Sequence, residues 1–158
     1  MEIERKFLVK NHLEFICNTL TLYSSDIYIQ GYILNSVEKT VRVRIIEGKE
    51  CFITIKGNGT ISREEFEYSI PEEDGQKMID LFCDKVIKKI RSGKIPYKGH
   101  IWEVDVFLDD NEGLIVAEIE LDSVDEKFEK PNWLGEEVTE DVRYLNSNLI
   151  NNPYKNWK

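Results

Sequence analysis

Residues 38–46 read Glu-Lys-Thr-Val-Arg-Val-Arg-Ile-Ile, and this alternation decides the fold. Successive side chains of a β-strand point to opposite faces, so Val41, Val43 and Ile45 share one side and Arg42 and Arg44 the other. The two arginines then stand about 7 Å apart with like charge, and something of opposite sign must neutralise them.

The same period of two recurs on either side, along roughly 2–8, 26–34, 51–56, 63–70, 86–93, 100–107 and 114–121. In the first of these runs Ile3 and Phe7 oppose Glu2, Glu4 and Lys6. Ile53 and Ile55 oppose Phe52, Thr54 and Lys56, and Phe66 and Tyr68 oppose Glu65 and Glu67. Lys89 and Arg91 share a face, with Lys88 and Ile90 opposite. Trp102, Val104 and Val106 oppose Glu103 and Asp105, and Ala117, Ile119 and Leu121 oppose Glu118 and Glu120. Between the strands, Pro71 and three acids open a helix predicted over about 72–84, with Met78, Leu81 and Phe82 at helical spacing. Further helices are expected from near Ser123 to before Pro131, with Phe128 facing inward, and over about 141–150, where Val142, Leu145 and Leu149 share a face. Leu13, Ile16 and Leu20 suit a short helix within 11–22.

The chain has 158 residues, 41% hydrophobic and 11% aromatic, enough for one packed core and too apolar for disorder. No linker or repeat interrupts it, so a single domain over 1–158 is expected, mainly β with a few helices. Lysine and arginine number 21 against 30 acids, a net charge of −9, which argues against nucleic acid as a partner. No apolar run approaches the ~20 residues of a membrane span, and the opening Met1-Glu2-Ile3-Glu4-Arg5-Lys6 is no secretory signal. Cys17, Cys51 and Cys83 are widely spaced without a CxxC, which points away from zinc and from disulfides. His12 and His100 fit no motif, and Tyr28, Tyr32 and Tyr144 read as packing residues. A soluble cytoplasmic domain is expected, free to hold an anion in a local basic cluster.

The polar faces carry the chemistry. A solvated sheet face mixes threonine, serine and lysine, and single charged pairs on it are ordinary. Here acids recur at i, i+2 four times (2/4, 65/67, 103/105, 118/120) and bases twice (42/44, 89/91), segregated by strand. Paired carboxylates suit a hard divalent cation, and Arg-x-Arg with lysine suits a phosphate chain, whose oxygens match the guanidinium fork. Metal with polyphosphate satisfies both sets. Closed with its charged face inward, such a sheet makes a barrel with an ionic lumen, its apolar outside covered by helices.

Glu2-x-Glu4-x-Lys6 closely resembles the opening motif of the CYTH superfamily, the triphosphate tunnel metalloenzymes. The resemblance continues through Gln30-Gly31-Tyr32, Val41-Arg42-Val43-Arg44, Thr54-Ile55-Lys56-Gly57 and Ser62-Arg63-Glu64-Glu65-Phe66-Glu67. It then runs through Lys89-Ile90-Arg91, Trp102–Phe107, Ala117-Glu118-Ile119-Glu120 and Trp133–Thr139, and ends at Asp141-Val142-Arg143-Tyr144. It implies a closed eight-stranded antiparallel tunnel holding a triphosphate and Mg²⁺ or Mn²⁺. By that resemblance Glu2, Glu4 and Glu120 would hold metal, with Glu118 and Asp105 close by. Lys6, Arg42, Arg44, Lys56 and Arg91 would line the phosphate path, and Arg143 would reach it from a C-terminal segment. Lys89 is similar to the lysine near the attacking water in short bacterial members. Glu65 and Glu67 would hold the basic residues in orientation, and Glu103 stays outside the metal set.

The implied activity is hydrolysis of a phosphoanhydride in inorganic tripolyphosphate or a related triphosphate. The alternatives are class IV adenylate cyclase, thiamine triphosphatase, and a module that binds polyphosphate or a nucleotide without cleaving it. Partners would then be inorganic tripolyphosphate or a nucleoside or thiamine triphosphate, and a homodimer is compatible with an acidic barrel bearing exposed aromatics.

Overall fold

Alternating residues do form strands. The computed structural model describes residues 2–59 and 61–157 and is mainly antiparallel β-sheet. The strands are β1 (Glu2–Val9), β2 (Asp26–Asn35), β3 (Thr40–Ile46), β4 (Glu50–Lys56), β5 (Ser62–Arg63), β6 (Glu65–Ser69), β7 (Val86–Tyr97), β8 (His100–Phe107), β9 (Ile115–Glu120) and β10 (Leu134–Glu137). Their order in the sheet is β10-β1-β9-β8-β7-β2-β3-β4-β6, with β5 paired to β1.

This corrects the expectation of a closed eight-stranded barrel. The single strand expected over 63–70 is divided: Arg63 and Ser62 pair with Glu2 and Ile3, whereas Glu65–Ser69 pair with β4. Glu64 belongs to neither ladder, so the chain passes from one edge of the sheet to the other without a continuous ring of ladders. One edge of β1 thus receives β5 at its start and β10 at its end. β10 carried no usable alternation, being four residues with a central glycine and two adjacent glutamates.

The helices divide similarly. α1 spans His12–Asn18, but it buries Phe15 and leaves Leu13 exposed. α2 spans Glu72–Phe82 and lays Gly75 and Ile79 against β3 and β4, beside Val43, Ile45 and Cys51. Residues 123–130 form no helix. The Glu126 carboxylate accepts from the Asp122 amide at 2.7 Å and meets His100 Nε2 at 2.6 Å, which ties the segment into a turn. Phe128 still faces inward, edge-on to Phe7 and Trp102. The expected 141–150 helix breaks at Leu145, whose backbone is extended, into a 3₁₀ turn (Val142–Tyr144) and α3 (Asn146–Leu149). Val142 is exposed, and Tyr144 and Leu149 are the residues buried.

One apolar layer covers the outer face, where Phe7, Trp102, Val104, Ala117 and Ile119 pack beneath Phe15, Phe128 and Trp133. A second apolar cluster sits on the other, concave face. Leu8, Ile87, Phe107 and Val116 share strand parity with Lys6, Lys89, Asp105 and Glu118, and Tyr144, Leu149 and Trp157 pack onto them. The concave face is therefore charged along most of its length and apolar at one end, where the C-terminal segment seals it.

Gly75 sits where an added Cβ would collide with the Cys51 sulfur. Alanine raises helix propensity by about 1 kcal/mol, but overpacking costs roughly 1–3 kcal/mol. Gly75→Ala should therefore lower the thermal midpoint, and adding Cys51→Ala, which deletes that sulfur, should restore it.

Candidate active site

Cross-strand register brings opposite charges face to face. Lys6 stands opposite Glu118, Arg91 opposite Asp105, and Lys56 opposite Glu65. Such pairs stabilise a sheet, whereas like charges directly opposite oppose it. Glu4 nevertheless stands opposite Glu120, and Glu103 opposite Glu118. Arg91 reconciles the second pair, with Nη1 donating to Glu103 at 3.1 Å and Nη2 to Glu118 at 3.2 Å.

These side chains enclose a cavity of about 190 Å³ on the concave face. Among the described residues its wall holds seven cations (Lys6, Arg42, Arg44, Lys56, Arg63, Lys89, Arg91) and seven carboxylates (Glu2, Glu4, Glu65, Glu67, Glu103, Glu118, Glu120). Tyr32, Thr40 and the C-terminal residues Leu145, Asn146 and Ser147 complete it.

Asp105 lies behind this wall and does not line it. It is 1% exposed; its oxygens accept from Arg91 Nε and Nη2 at 2.6 and 2.8 Å and from Lys89 Nζ at 2.8 Å. Burial opposes its charge, but Arg91 and Lys89 outweigh that and hold its carboxyl at about 2. It is the counter-ion of two buried cations, with both oxygens occupied, rather than an open metal donor. Lys89 is wholly buried with Nζ over the Phe107 ring, at the border where charged wall gives way to apolar floor. That burial, with Arg91 and Arg44 nearby, brings its amine down to about 7 despite Asp105. Lys6 is the reverse case, because Glu118 at 3.0 Å and Glu4 at 3.5 Å overcome desolvation and raise it.

Arg42 and Arg44 are the less occupied cations. Arg42 Nη2 meets Thr54 Oγ1 at 3.3 Å and Glu67 at 3.7 Å, and among the described residues its buried Nε has no partner. A buried N–H without an acceptor is costly, which marks a place for an anion. Arg44 donates from Nε to Gln30 at 3.1 Å and lies over Tyr28; burial, Arg42 and Arg91 lower it to about 10, so it stays charged at neutral pH. Glu67 accepts from Thr54 Oγ1 at 2.9 Å and lies 3.7 Å from Arg42, and Glu65 lies 3.8 Å from Lys56.

At the other part of the wall Glu2 meets Lys56 at 3.1 Å and Arg63 at 3.4 Å. Glu2 and Glu65 share a hydrogen bond: burial, opposed by Glu65, Lys56 and Arg63, leaves Glu2 at about 2, whereas burial and Glu2 push Glu65 up to about 7. Glu120 is raised by burial and by Glu2 and Glu4. Glu2, Glu4 and Glu120 are thus mutually repelling oxygen donors, the chemistry a hard divalent cation accepts. Among the described residues no three acidic, histidine or cysteine side chains already converge on one point, since Glu2 and Glu4 are engaged by cations.

Arg143 does not line the cavity. Its guanidinium is exposed, paired to Asp141 at 2.6 Å and stacked over Trp157. Glu103, kept outside the metal set, and Tyr32, read as a packing residue, both line it, as do Arg63 and Asn146, to which the sequence assigned no role. Arg63 shares parity with Glu65 and Glu67, and Glu103 with Asp105, so both were legible; Asn146 carried no signal.

Comparison with known proteins follows the same lines. The CYTH domain model matches residues 1–154. An inorganic triphosphatase of Acetivibrio thermocellus is 47% identical over 99% of this chain and 97% of its own length. An inorganic triphosphatase of Nitrosomonas europaea is 36% identical over 94% of this chain and 95% of its own. The crystal structure of the inorganic triphosphatase NE1496 superposes with a TM-score of 0.64 at 34% identity, covering 95% of this chain and 94% of that one. HpAC1 from Hippeastrum, at 16% identity and a TM-score of 0.62 over 78% of this chain and 80% of that one, shares the fold.

Removing Asp105 would strand the buried Lys89 and take the bidentate partner from Arg91, which keeps Glu103 and Glu118, a loss of about 3–5 kcal/mol. Asp105→Asn should lower the urea midpoint accordingly. In the wild type the contribution of Asp105 is complete above its unfolded value near 4 and should vanish as pH falls through about 2, where the folded carboxyl protonates.

Proposed function

The chain belongs to the CYTH family, and on that footing we propose that it is a divalent-metal-dependent triphosphatase, cleaving a phosphoanhydride of inorganic tripolyphosphate or a related triphosphate. The observation that carries this reading is that one cavity is walled, among the described residues, by seven cations and seven carboxylates. A bare polyanion would overload that balance, whereas a triphosphate entering with divalent cations keeps it.

Arg42 and Arg44 bind and orient the phosphate chain through guanidinium forks, with the unpartnered Arg42 Nε as a ready donor. Lys6 and Lys56 add charge to the same path, and Arg91, already fixed by Asp105, Glu103 and Glu118, forms its rigid side. Glu2, Glu4 and Glu120 would hold a Mg²⁺ or Mn²⁺ ion, which supplies charge neutralisation and polarisation of the scissile phosphoryl group. Lys89 would take a proton from attacking water at Nζ, a role supported by its amine being brought to about 7, partly neutral at physiological pH.

Tripolyphosphate is favoured over a nucleotide because, apart from Tyr32 and Leu145, the described cavity wall is polar or charged and offers a base no apolar slot. Among the described residues no helix is long and apolar enough to cross a membrane.

Orthophosphate release from tripolyphosphate, ATP and thiamine triphosphate, with Mg²⁺ or Mn²⁺, tests the reading; cyclic AMP formation from ATP, or binding without release, would overturn it. Lys89→Ala should lose roughly 10²–10⁴-fold in kcat with a small change in KM, the range of general-base removal. Arg42→Ala should raise KM and lower kcat together. A normal kcat in Lys89→Ala would remove the base assignment.

A further inference from the structure

The C-terminal segment does more than seal the apolar end of the cavity. It delivers Asn146, remote in sequence, to the buried amine of Lys89: Nζ donates to Asn146 Oδ1 at 3.0 Å and to Asp105 Oδ2 at 2.8 Å. The amide on the other side is Gln30, which is fully buried. Its Nε2 donates to the same Asn146 oxygen at 3.3 Å and to the Tyr32 hydroxyl at 3.3 Å, and its Oε1 accepts from Arg44 Nε at 3.1 Å.

The orientations in this chain are forced. Arginine and charged lysine can only donate. Arg44 therefore fixes the Gln30 oxygen toward itself and turns the Gln30 amide nitrogen toward Asn146. Asn146 must then present its oxygen to the Gln30 nitrogen, and Lys89 Nζ donates to that same oxygen. One amide oxygen thus ties the phosphate-binding side of the wall to Lys89.

The segment that presents it is well held. Leu149 is fully buried among Ile87, Phe107, Leu114 and Val116, and Asn35 Nδ2 donates to the Ser147 carbonyl at 2.6 Å.

We propose that Asn146 is a positioning residue for Lys89, fixing the direction of its amine toward the bound phosphate and registering it with Arg44 through Gln30. Phe107 and Asp105 hold the lysine from below and behind. Asn146 is its hydrogen-bond partner from the C-terminal segment, so without it the amine can turn toward Asp105 alone. The inference rests on the triphosphatase reading and on Lys89 acting at the reacting phosphate.

The test measures tripolyphosphate hydrolysis with Mg²⁺ in wild type, Asn146→Leu, Lys89→Ala and the double variant. Asn146→Leu keeps the branched outline of the side chain and removes the acceptor. Its kcat should fall roughly ten- to hundredfold, as misplacement of a reacting group does, with KM nearly unchanged. In the Lys89→Ala background it should cost nothing further, because a residue acting through Lys89 has nothing left to position. Asn146→Ala, a second variant lacking the acceptor, should show the same split of kcat from KM. A readout independent of turnover is the ¹⁵N side-chain spectrum of the lysines. The resonance that disappears in Lys89→Ala should shift or broaden in Asn146→Leu, while that of Lys6 stays in place.

An active wild type whose kcat survives Asn146→Leu overturns the proposal alone, as does a loss that adds in full to that of Lys89→Ala, or an unmoved Lys89 resonance. A wild type that releases no orthophosphate overturns the triphosphatase reading and, with it, any positioning role.

Discussion

Everything in the cavity depends on one carboxylate that never reaches it. Asp105 is buried behind the wall and holds Arg91 by two donors and Lys89 by a third. Without it the buried Lys89 would lose its carboxylate partner, and Arg91 would keep only Glu103 and Glu118. With it, Arg91 is rigid enough to clamp Glu103 and Glu118, and Glu118 in turn holds Lys6. The ion pairs run as a connected network from the outer carboxylates to the lysine at the apolar border. In a region removed from water, pairing and hydrogen bonding decide whether buried charge is tolerated.

A second consequence comes from the position of the floor. On the concave face each of several strands changes from charged to apolar along its length: Glu4 and Lys6 lead to Leu8, Arg91 and Lys89 to Ile87, Asp105 to Phe107, and Glu118 to Val116. The change happens at one level, so the lysine at that level is desolvated on one side and hydrogen-bonded on the other. The packing that lowers the Lys89 amine is therefore the same packing that closes the cavity with Tyr144 and Leu149.

Much of this was legible along the chain. Period-two alternation located β1, β3, β4, β7, β8 and β9 to within a few residues, because a strand with one charged and one apolar face has few other ways to be written. Parity left Lys88 and Lys89 exchangeable by a one-residue shift, and only the register opposite Phe107 buries Lys89. The division of 62–69 between two ladders, the turn at 123–130 and the break at Leu145 were not legible, since each arises from partners far away in sequence: Glu2 and Ile3 for β5, and His100 for Glu126. Arg143 illustrates the converse. Its motif is intact, yet Asp141 and Trp157 hold its side chain outside the cavity.

The sequence by itself determined which side chains share a face, and so which charges must be neutralised together, because backbone geometry makes that a local property. Tertiary structure alone decided which of them touch. Register set Lys6 against Glu118 and Arg91 against Asp105, sheet curvature brought β5 to β1, and the C-terminal segment carried Asn146 to Lys89. The physical reason is that contact and desolvation depend on distance in space, and alternation fixes only direction.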